Sequence, residues 1–346
     1  MAHGLRDGGD HASLVGNTLS VRMEITMEIT RRDFLRYAGV SALALGLSQL
    51  HLDQLERVLA ATSGAAPVVW LSGSGCTGCS ISLLNAVNPT IDQVLTSTIS
   101  LKFHPNVMAA AGDLAVSAAR STQQAGGYIL VVEGAIPTGT SSKYCYVWDE
   151  GGQSVTMAEA VSSLAAQAKY IVAVGTCAAF GGIPRTYAPA AAKGVGAFLG
   201  RPVINLPGCP AHPDWIVGSL AAVLSGAMPA LDTNSRPTVF YTREPIHERC
   251  PREESEEASR FGQDGRCLEE LGCKGPRTHA DCDTRWWNNK QNWCIGVNGL
   301  CIGCTEPDFP AFPLHRGGAS GGDDGVPITP PLPYKVFLPS VSNGGQ

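Results

Sequence analysis

The middle of the chain alternates short apolar runs with segments of helical periodicity. Five runs of mostly apolar residues lie at 67–71, 99–103, 128–132, 170–174 and 202–206. Between and after them, one segment beginning near Ser80 and others at 106–121, 155–168 and 214–225 read as helices. Near-continuous apolar strands that alternate with helices are typical of a parallel sheet covered on both faces. The pattern therefore predicts a flavodoxin-like, doubly wound α/β domain over residues 66–228.

The remainder of the chain does not continue this alternation. Residues 229–314 contain few alternating apolar runs and are rich in Gly, Pro and charge. We expect them to form a smaller, largely irregular domain with a few short helices. Residues 315–346 are rich in Gly, Pro and Asp, a composition that predicts an extended or disordered arm.

Residues 1–65 resemble a targeting region. Arg31 and Arg32 precede an apolar stretch at 37–50, which is shorter than the about 20 residues that a membrane-spanning helix requires. Paired arginines before a modest apolar run predict export by the twin-arginine route, and hence a periplasmic protein. No later run is long enough for a transmembrane helix, so none is expected in the mature chain.

Composition narrows the classes of function. The 346-residue chain is 44% hydrophobic, which is sufficient for two globular domains. Its net charge is −5, and scattered Lys and Arg residues form no basic stripe, which argues against nucleic-acid binding. A G-x-G-x-x-G match at 73–78 suggests a dinucleotide site, but the second strand ends Lys102-Phe103-His104 without the acidic residue that would hold the ribose.

Four cysteines follow three of the predicted strands. Cys76 and Cys79 come after the first strand, Cys177 after the fourth and Cys209 after the fifth, while Glu133 follows the third. Because the carboxyl ends of parallel strands share one edge of the sheet, we expect these side chains to converge there. Cysteines that merely fill the core would more naturally lie within the strands. The placement indicates a metal site at this edge.

A second set of donors lies in the irregular region. Setting aside Cys145, which has no obvious partners, eleven cysteines and His247 provide enough donors for three four-ligand sites. Chain order and spacing suggest the partition: Cys76, Cys79, Cys177 and Cys209; His247, Cys250, Cys267 and Cys273; Cys282, Cys294, Cys301 and Cys304.

Three chemistries are compatible with these donors. Ligands drawn from distant loops favour iron–sulfur clusters, whose corners lie apart. Zinc sites more often show two compact Cys-x-x-Cys pairs. Export also permits disulfides, so an exported, disulfide-stabilised binding protein is the alternative function.

At these residues the chain resembles the small subunit of periplasmic nickel–iron hydrogenases, and most closely the nickel–iron–selenium branch. The similarity extends from the paired arginines to about Phe312 and follows the family's order. Its motifs are Ser74-Gly75-Cys76-Thr77-Gly78-Cys79-Ser80, Glu133-Gly134-Ala135-Ile136-Pro137-Thr138, Val174-Gly175-Thr176-Cys177, Pro207-Gly208-Cys209-Pro210, His247-x-x-Cys250, Leu271-Gly272-Cys273-Lys274-Gly275-Pro276 and Cys301-Ile302-Gly303-Cys304.

The resemblance implies three four-iron clusters: a proximal one at the sheet edge, a medial one at the Cys282 group and a distal one at the His247 group. It places the nickel–iron centre in a separate large subunit, so no catalytic residue is expected in this chain. Electrons from hydrogen oxidation would pass through the clusters to an external acceptor such as a multihaem c-type cytochrome. Glu133 would face the subunit interface, as a structural anchor or a proton relay. Many relatives have Pro where this chain has Cys294, which implies a four-iron medial cluster here.

Overall fold

The computed structural model describes residues 66–312, so the predicted export signal and the tail from 313 onward lie outside the described residues. Seven strands occur in this part of the chain. In chain order they are β1 (Ala66–Ser72), β2 (Ile99–Phe103), β3 (Ile129–Glu133), β4 (Tyr146–Glu150), β5 (Gln153–Thr156), β6 (Tyr170–Val174) and β7 (Ile204–Leu206).

Five of these strands form one parallel sheet in the order β2-β1-β3-β6-β7. Numbered among themselves, the strands run 2-1-3-4-5, which is the flavodoxin-like order and confirms the predicted fold. The order reverses between β1 and β3, where Ser72 pairs with Glu133 at the carboxyl ends. Open α/β sheets bind their ligands at such a switch point.

Short helices surround the sheet and continue into the irregular region. The α-helices are α1 (Gly78–Leu84), α2 (Ile91–Gln93), α3 (Gly112–Ala125), α4 (Met157–Ala165), α5 (Thr176–Phe180), α6 (Val195–Leu199), α7 (Pro213–Leu224) and α8 (Cys282–Arg285). A π-helical turn (Val94–Thr98) follows α2, and 3₁₀ turns occupy Gly139–Tyr144, Ile183–Thr186, Ala188–Ala190, His247–Arg249, Gly275–Arg277 and Ile295–Val297.

Side chains along β1, β3 and β6 alternate between two apolar clusters. In β1, Val68 and Trp70 face one cluster, whereas Val69 and Leu71 face the other. The cluster that contains Trp70 continues into the irregular region, where its members include Phe240, Tyr241, Ile246, Trp293 and Ile295. The two parts of the chain therefore share one core, and the predicted boundary at 228/229 stays a prediction.

Two boundary predictions were wrong for local reasons. The helix predicted at 106–121 begins only at Gly112, because His104 organises a turn before it: its Nδ1 accepts the Asn106 N–H at 3.1 Å and its carbonyl accepts the Met108 N–H at 3.3 Å. The helix predicted from residue 155 begins at Met157, because Val155 and Thr156 belong to the antiparallel hairpin β4–β5.

Buried arginines hold the irregular region together. Arg236 is 4% exposed and donates to Asp232 at 2.7 Å and to Glu306 at 3.0 Å. Other arginines make comparable links between distant segments: Arg185 to the carbonyls of Pro307 and Phe309, Arg249 to Asp283, Arg252 to Asn298 and Ile295, and Arg285 to Asp281 and Asp214.

Across residues 66–312, no helix combines the length and apolar character that crossing a bilayer demands.

Replacing Arg236 by Met should destabilise the protein strongly. The substitution leaves the carboxylates of Asp232 and Glu306 largely buried without their cation, a change that typically costs about 3–5 kcal/mol. Arg277→Met is the matched control, because the Arg277–Asp308 pair is about half exposed and such pairs contribute about 0–1 kcal/mol. Denaturant midpoints of the purified complex measure both, and equal midpoints for the two variants would contradict this account.

Candidate metal centres

The sheet edge brings Cys76, Cys79, Cys177 and Cys209 together, as the sequence predicts. Cys79 lies in the first turn of α1 and Cys177 in the first turn of α5, so both are presented by helix starts rather than by loops alone. The negative charges of Cys177 and Cys209 raise the pKa of Cys79, and the charge of Cys76 raises that of Cys177 and Cys209, each after a larger effect of burial. The four sulfurs therefore form one electrostatic group. Cys76 is the exposed member and opens onto a cavity of about 530 Å³.

Two glycines leave room for this group. At Gly175 (φ +85°), an added Cβ would lie 2.5 Å from the Sγ of Cys79. At Gly182 (φ +48°), it would lie 2.9 Å from the Sγ of Cys177. Real Cβ atoms do not approach sulfur this closely, and both backbone conformations disfavour L side chains. Glycine is thus required where the chain passes closest to the sulfurs.

Glu133 is the last residue of β3 and is 3% exposed. Its Oε1 accepts the N–H groups of Cys79 at 2.9 Å and Ser80 at 3.2 Å, and its Oε2 accepts Trp70 Nε1 at 3.1 Å. The hydroxyl of Ser80 donates to the same oxygen. Four donors are the partners of an ionised carboxylate, which ties the start of α1, and with it Cys79, to the sheet. This favours the anchoring role; contact of Glu133 with a partner subunit stays a prediction.

The network behind Glu133 extends to a buried histidine. His104 Nδ1 accepts the Asn106 N–H, so Nε2 carries the proton and faces Ser80 Oγ at 3.2 Å. Burial lowers the pKa of His104 to about 4, which keeps the ring neutral. The imidazole stacks on Trp70, with the two ring centroids 5.2 Å apart. The sequence did not reveal the roles of His104 and Ser80 in this network, because no motif marks a histidine that directly follows a strand.

The proposed medial donors also lie together. Burial raises the pKa of Cys282, and the charges of Cys304, Cys301 and Cys294 raise it further. Cys294 likewise raises the pKa of Cys301 and of Cys304. Cys294 is exposed while its three neighbours are not, so it approaches the group from the outer side.

The proposed distal donors line one small cavity of about 10 Å³. His247, Cys250, Cys267 and Cys273 all contribute to its wall, together with Arg252, Leu268, Gly275 and Ile295. The Sγ of Cys250 accepts the Arg252 N–H at 3.4 Å, and burial raises the pKa of Cys250, with smaller increases from the charges of Cys273 and Cys267. A histidine and three thiols thus surround one point near the surface.

Single hydrogen bonds connect neighbouring donor groups. Thr176 Oγ1, next to Cys177, accepts the Gly208 N–H at 2.8 Å and donates to the carbonyl of Cys304. The N–H of Cys301 donates to the Sγ of Cys273 at 3.3 Å. The medial group therefore lies between the proximal and distal groups. The role of Thr176 was not visible in the sequence, since its partner is 128 residues away.

The donors fit metal binding better than disulfide pairing. All twelve cysteines lie within residues 66–312, and none forms a disulfide, so the disulfide-stabilised alternative is not supported. Burial raises the pKa of the Cys177 thiol to about 11 and that of Cys301 to about 12. Thiols in this state become thiolates only when a cation compensates their charge, as metal binding does with release of protons. Cys145, by contrast, packs among apolar side chains on the opposite face of the sheet.

Comparison with known proteins shows one consistent family. Residues 76–223 match the model of the NADH ubiquinone oxidoreductase 20 kDa subunit, and residues 242–314 match that of the C-terminal part of the NiFe/NiFeSe hydrogenase small subunit. The chain is 43% identical over 308 residues to the periplasmic [NiFeSe] hydrogenase small subunit of Desulfomicrobium baculatum, covering 82% of this chain and 97% of the relative. It is 38% identical to the periplasmic [NiFe] hydrogenase small subunit of Solidesulfovibrio fructosivorans, covering 81% and 90%.

Solved structures show the same relationship. A structure of the H2-activated [NiFeSe] hydrogenase from Desulfomicrobium baculatum superposes with a TM-score of 0.69 at 44% identity. The match covers 74% of this chain and all of the other chain.

Replacing Gly175 by Ala should empty the proximal site selectively. The new Cβ would occupy the space of the Cys79 sulfur, so about one third of the bound iron should be lost if each site holds four irons. Gly200→Ala is the matched control, because Gly200 has a similar φ (+66°) but no atom within 4 Å of the added Cβ. Iron and acid-labile sulfide per chain give the readout. An equal loss in both variants would show that backbone strain, not contact with sulfur, is responsible.

Proposed function

This chain belongs to the family of nickel–iron and nickel–iron–selenium hydrogenase small subunits, and from that premise we propose that it relays electrons through three four-iron clusters held by its twelve donors. Its role in the enzyme is electron transfer, with hydrogen as the electron donor and a large subunit as its partner. When bound, the clusters supply one-electron redox steps. What this chain contributes is the ligands, their spacing and the burial that sets each potential.

The observation that carries the proposal is the contiguity of the three donor groups. Cys304 of the medial group lies close enough to Cys209 of the proximal group for their charges to interact. Cys294 and Cys301 interact in the same way with Cys273 of the distal group. A continuous series of metal sites from a sheet edge to the surface is suited to moving electrons, whereas isolated structural zinc sites need no such continuity.

We place the large subunit on the face around Cys76. Tyr144, Ile183 and Tyr187 are 66%, 53% and 59% exposed and line the same cavity as Cys76, Cys177 and Cys209. Exposed apolar side chains that surround a reactive group mark an interaction surface. A partner that covers this face would shield the proximal cluster from water and bring the nickel–iron centre next to it.

The location we propose is the periplasm, which is also where the named relatives function. The paired Arg31 and Arg32 support export by the twin-arginine route, and this signal lies outside the described residues. That route transports folded proteins, which suits a chain whose folding depends on metal insertion.

Purification from the native host tests the function. We expect the chain to copurify with a larger, nickel-containing subunit and to carry about twelve iron and about twelve sulfide ions of its own. Hydrogen-dependent reduction of an artificial acceptor should accompany the complex. A pure chain that contains zinc in place of iron, or that copurifies without nickel, would overturn the proposal.

The medial site should lose one iron corner in Cys294→Pro. Cys294 has φ −51°, a value that proline adopts, so the backbone tolerates the change while the thiolate is lost. We expect the oxidised variant to show a three-iron electron paramagnetic resonance signal that the wild type lacks. Cys145→Ser is the control, because it removes a thiol that belongs to no donor group. A stoichiometric three-iron signal in the undamaged wild type would show that Cys294 is not a ligand.

We further propose that the distal surface docks a basic acceptor such as a multihaem c-type cytochrome. The acidic residues beside the distal donors are exposed: Glu248, Glu253, Glu254, Glu256 and Glu257. Two arginines within this run point inward instead. Arg249 pairs with the buried Asp283 at 2.9 Å, and Arg252 donates to Asn298 Oδ1 and the carbonyl of Ile295, both at 2.8 Å. Because these two cations are engaged elsewhere, the surface is more acidic than the sequence of the run suggests, although Arg266 pairs with Glu256 at 2.9 Å.

Reduction of such a cytochrome should slow as salt rises. Electrostatic steering raises association rates by about 10- to 1,000-fold at low ionic strength, and the Debye length falls to about 8 Å at physiological salt. The measurement is the second-order rate of cytochrome reduction against ionic strength, with an uncharged small acceptor as control. Equal salt dependence for both acceptors would exclude steering.

A further inference from the structure

A short turn fixes the position of Glu269 between two distal donors. Cys267 and Cys273 flank the turn, and the buried side chains of Leu268 and Leu271 anchor it in an apolar cluster. The carbonyl of Glu269 accepts the Gly272 N–H at 2.8 Å, and the carbonyl of Leu268 accepts the Cys273 N–H at 3.0 Å. The backbone of Glu269 is therefore held in place although its side chain is partly exposed.

Glu269 lies next to two of the proposed distal donors, His247 and Cys267. Its Oε2 lies 3.7 Å from Nε2 of His247, and potential ligand atoms of Glu269, His247 and Cys267 all lie within 4.8 Å of one another. Burial raises the pKa of Cys267; the backbone N–H of Glu269 lowers this pKa, and the Glu269 carboxylate charge raises it, so Glu269 lies close to Cys267 as well. Within residues 66–312, no other carboxylate forms an ion pair with His247.

We propose that Glu269 is a positioning residue for the distal cluster, in which its carboxylate accepts the Nε2–H of His247 and leaves Nδ1 for the metal. This inference rests on the proposed assignment of His247, Cys250, Cys267 and Cys273 to one cluster. Histidines that bind metals donate their other ring N–H to a carboxylate or carbonyl, which fixes the ring and raises its basicity. The observed 3.7 Å exceeds hydrogen-bond length, so the proposal requires the half-exposed Glu269 side chain to rotate toward His247 when the cluster is bound.

The hydrogen bond between His247 and Glu269 has two consequences for the distal site, from which electrons would leave this chain. The hydrogen bond restricts rotation of the imidazole, so the bound nitrogen keeps one orientation toward the iron. The carboxylate also returns part of the negative charge that a histidine ligand lacks relative to a thiolate. Both effects act on the last site before the acceptor, and the charge opposes uptake of an electron, so it lowers the distal potential.

The test compares Glu269 with its neighbour Glu270 in the assembled, cluster-loaded complex. Glu270 is also exposed and adjacent in sequence, so Glu270→Gln removes the same charge from the same surface without removing the contact with His247. Glu269→Gln removes the charge but keeps an acceptor oxygen, and Glu269→Ala removes both. The readouts are the distal midpoint potential from a redox titration and the histidine ¹⁴N coupling from pulsed electron paramagnetic resonance, at one pH.

We expect the potential to rise in Glu269→Gln by about the amount that changes the reduced-to-oxidised ratio tenfold, which is 59 mV for a one-electron couple. Glu270→Gln should shift it far less. The ¹⁴N coupling should change in Glu269→Ala, stay close to the wild-type value in Glu269→Gln and be unaffected in Glu270→Gln.

Three outcomes would overturn the inference. Equal potential shifts in Glu269→Gln and Glu270→Gln would show a general surface charge. An unchanged ¹⁴N coupling in Glu269→Ala would show that the ring needs no partner. Loss of an iron corner in Glu269→Ala would make the carboxylate a direct ligand. Absence of any ¹⁴N-coupled distal signal in the wild type would instead refute the proposed cluster assignment itself.

Discussion

The structure depends on bringing together buried sulfur donors that repel one another once they are ionised. Each of the three groups gathers thiols whose pKa is raised by burial and by the neighbouring thiolates. Without cations these groups would remain protonated, and the irregular region would be ordered only by its arginine links and its share of the apolar core. Metal binding at these groups would therefore contribute folding free energy as well as redox chemistry. The protein adds N–H donors at selected sulfurs, such as the Cys301 N–H at Cys273, which stabilise negative charge locally.

The sheet domain and the irregular region hold their donor residues in place by different interactions. In the sheet domain, the first turns of α1 and α5 present Cys79 and Cys177. The carboxylate of Glu133 holds the first turn of α1 by accepting two of its N–H groups. In the irregular region, arginines replace regular elements as the connectors. Arg249 joins the segment that carries His247 and Cys250 to Asp283, which follows Cys282. The hydrogen bonds of one guanidinium thus connect the chain segments of two donor groups.

The sequence predicted the parallel sheet because its five apolar runs alternate with helical segments, and it predicted that the proximal donors lie together because the carboxyl ends of parallel strands share one edge. It did not reveal the β4–β5 hairpin, although Gly151 and Gly152, both at positive φ, are a pair typical of a two-residue hairpin turn. The contacts of Glu133, Thr176 and Glu269 could not be read from sequence, because each joins residues that only the fold brings together. The donor sets themselves are assigned from spacing and resemblance, and the structure adds which donors are neighbours.

The order of the groups in space differs from their order along the chain. The chain passes from the proximal donors to His247 and Cys273, and only afterwards reaches Cys282 to Cys304. It returns to the sheet because Thr176 binds the carbonyl of Cys304 and because Arg185 binds the carbonyls of Pro307 and Phe309. The proposed medial donors are therefore last along the chain, although they lie between the other two groups in space. This connectivity makes the hydrogen bonds at Cys304 and Cys301 the contacts that close the series from the sheet edge to the surface.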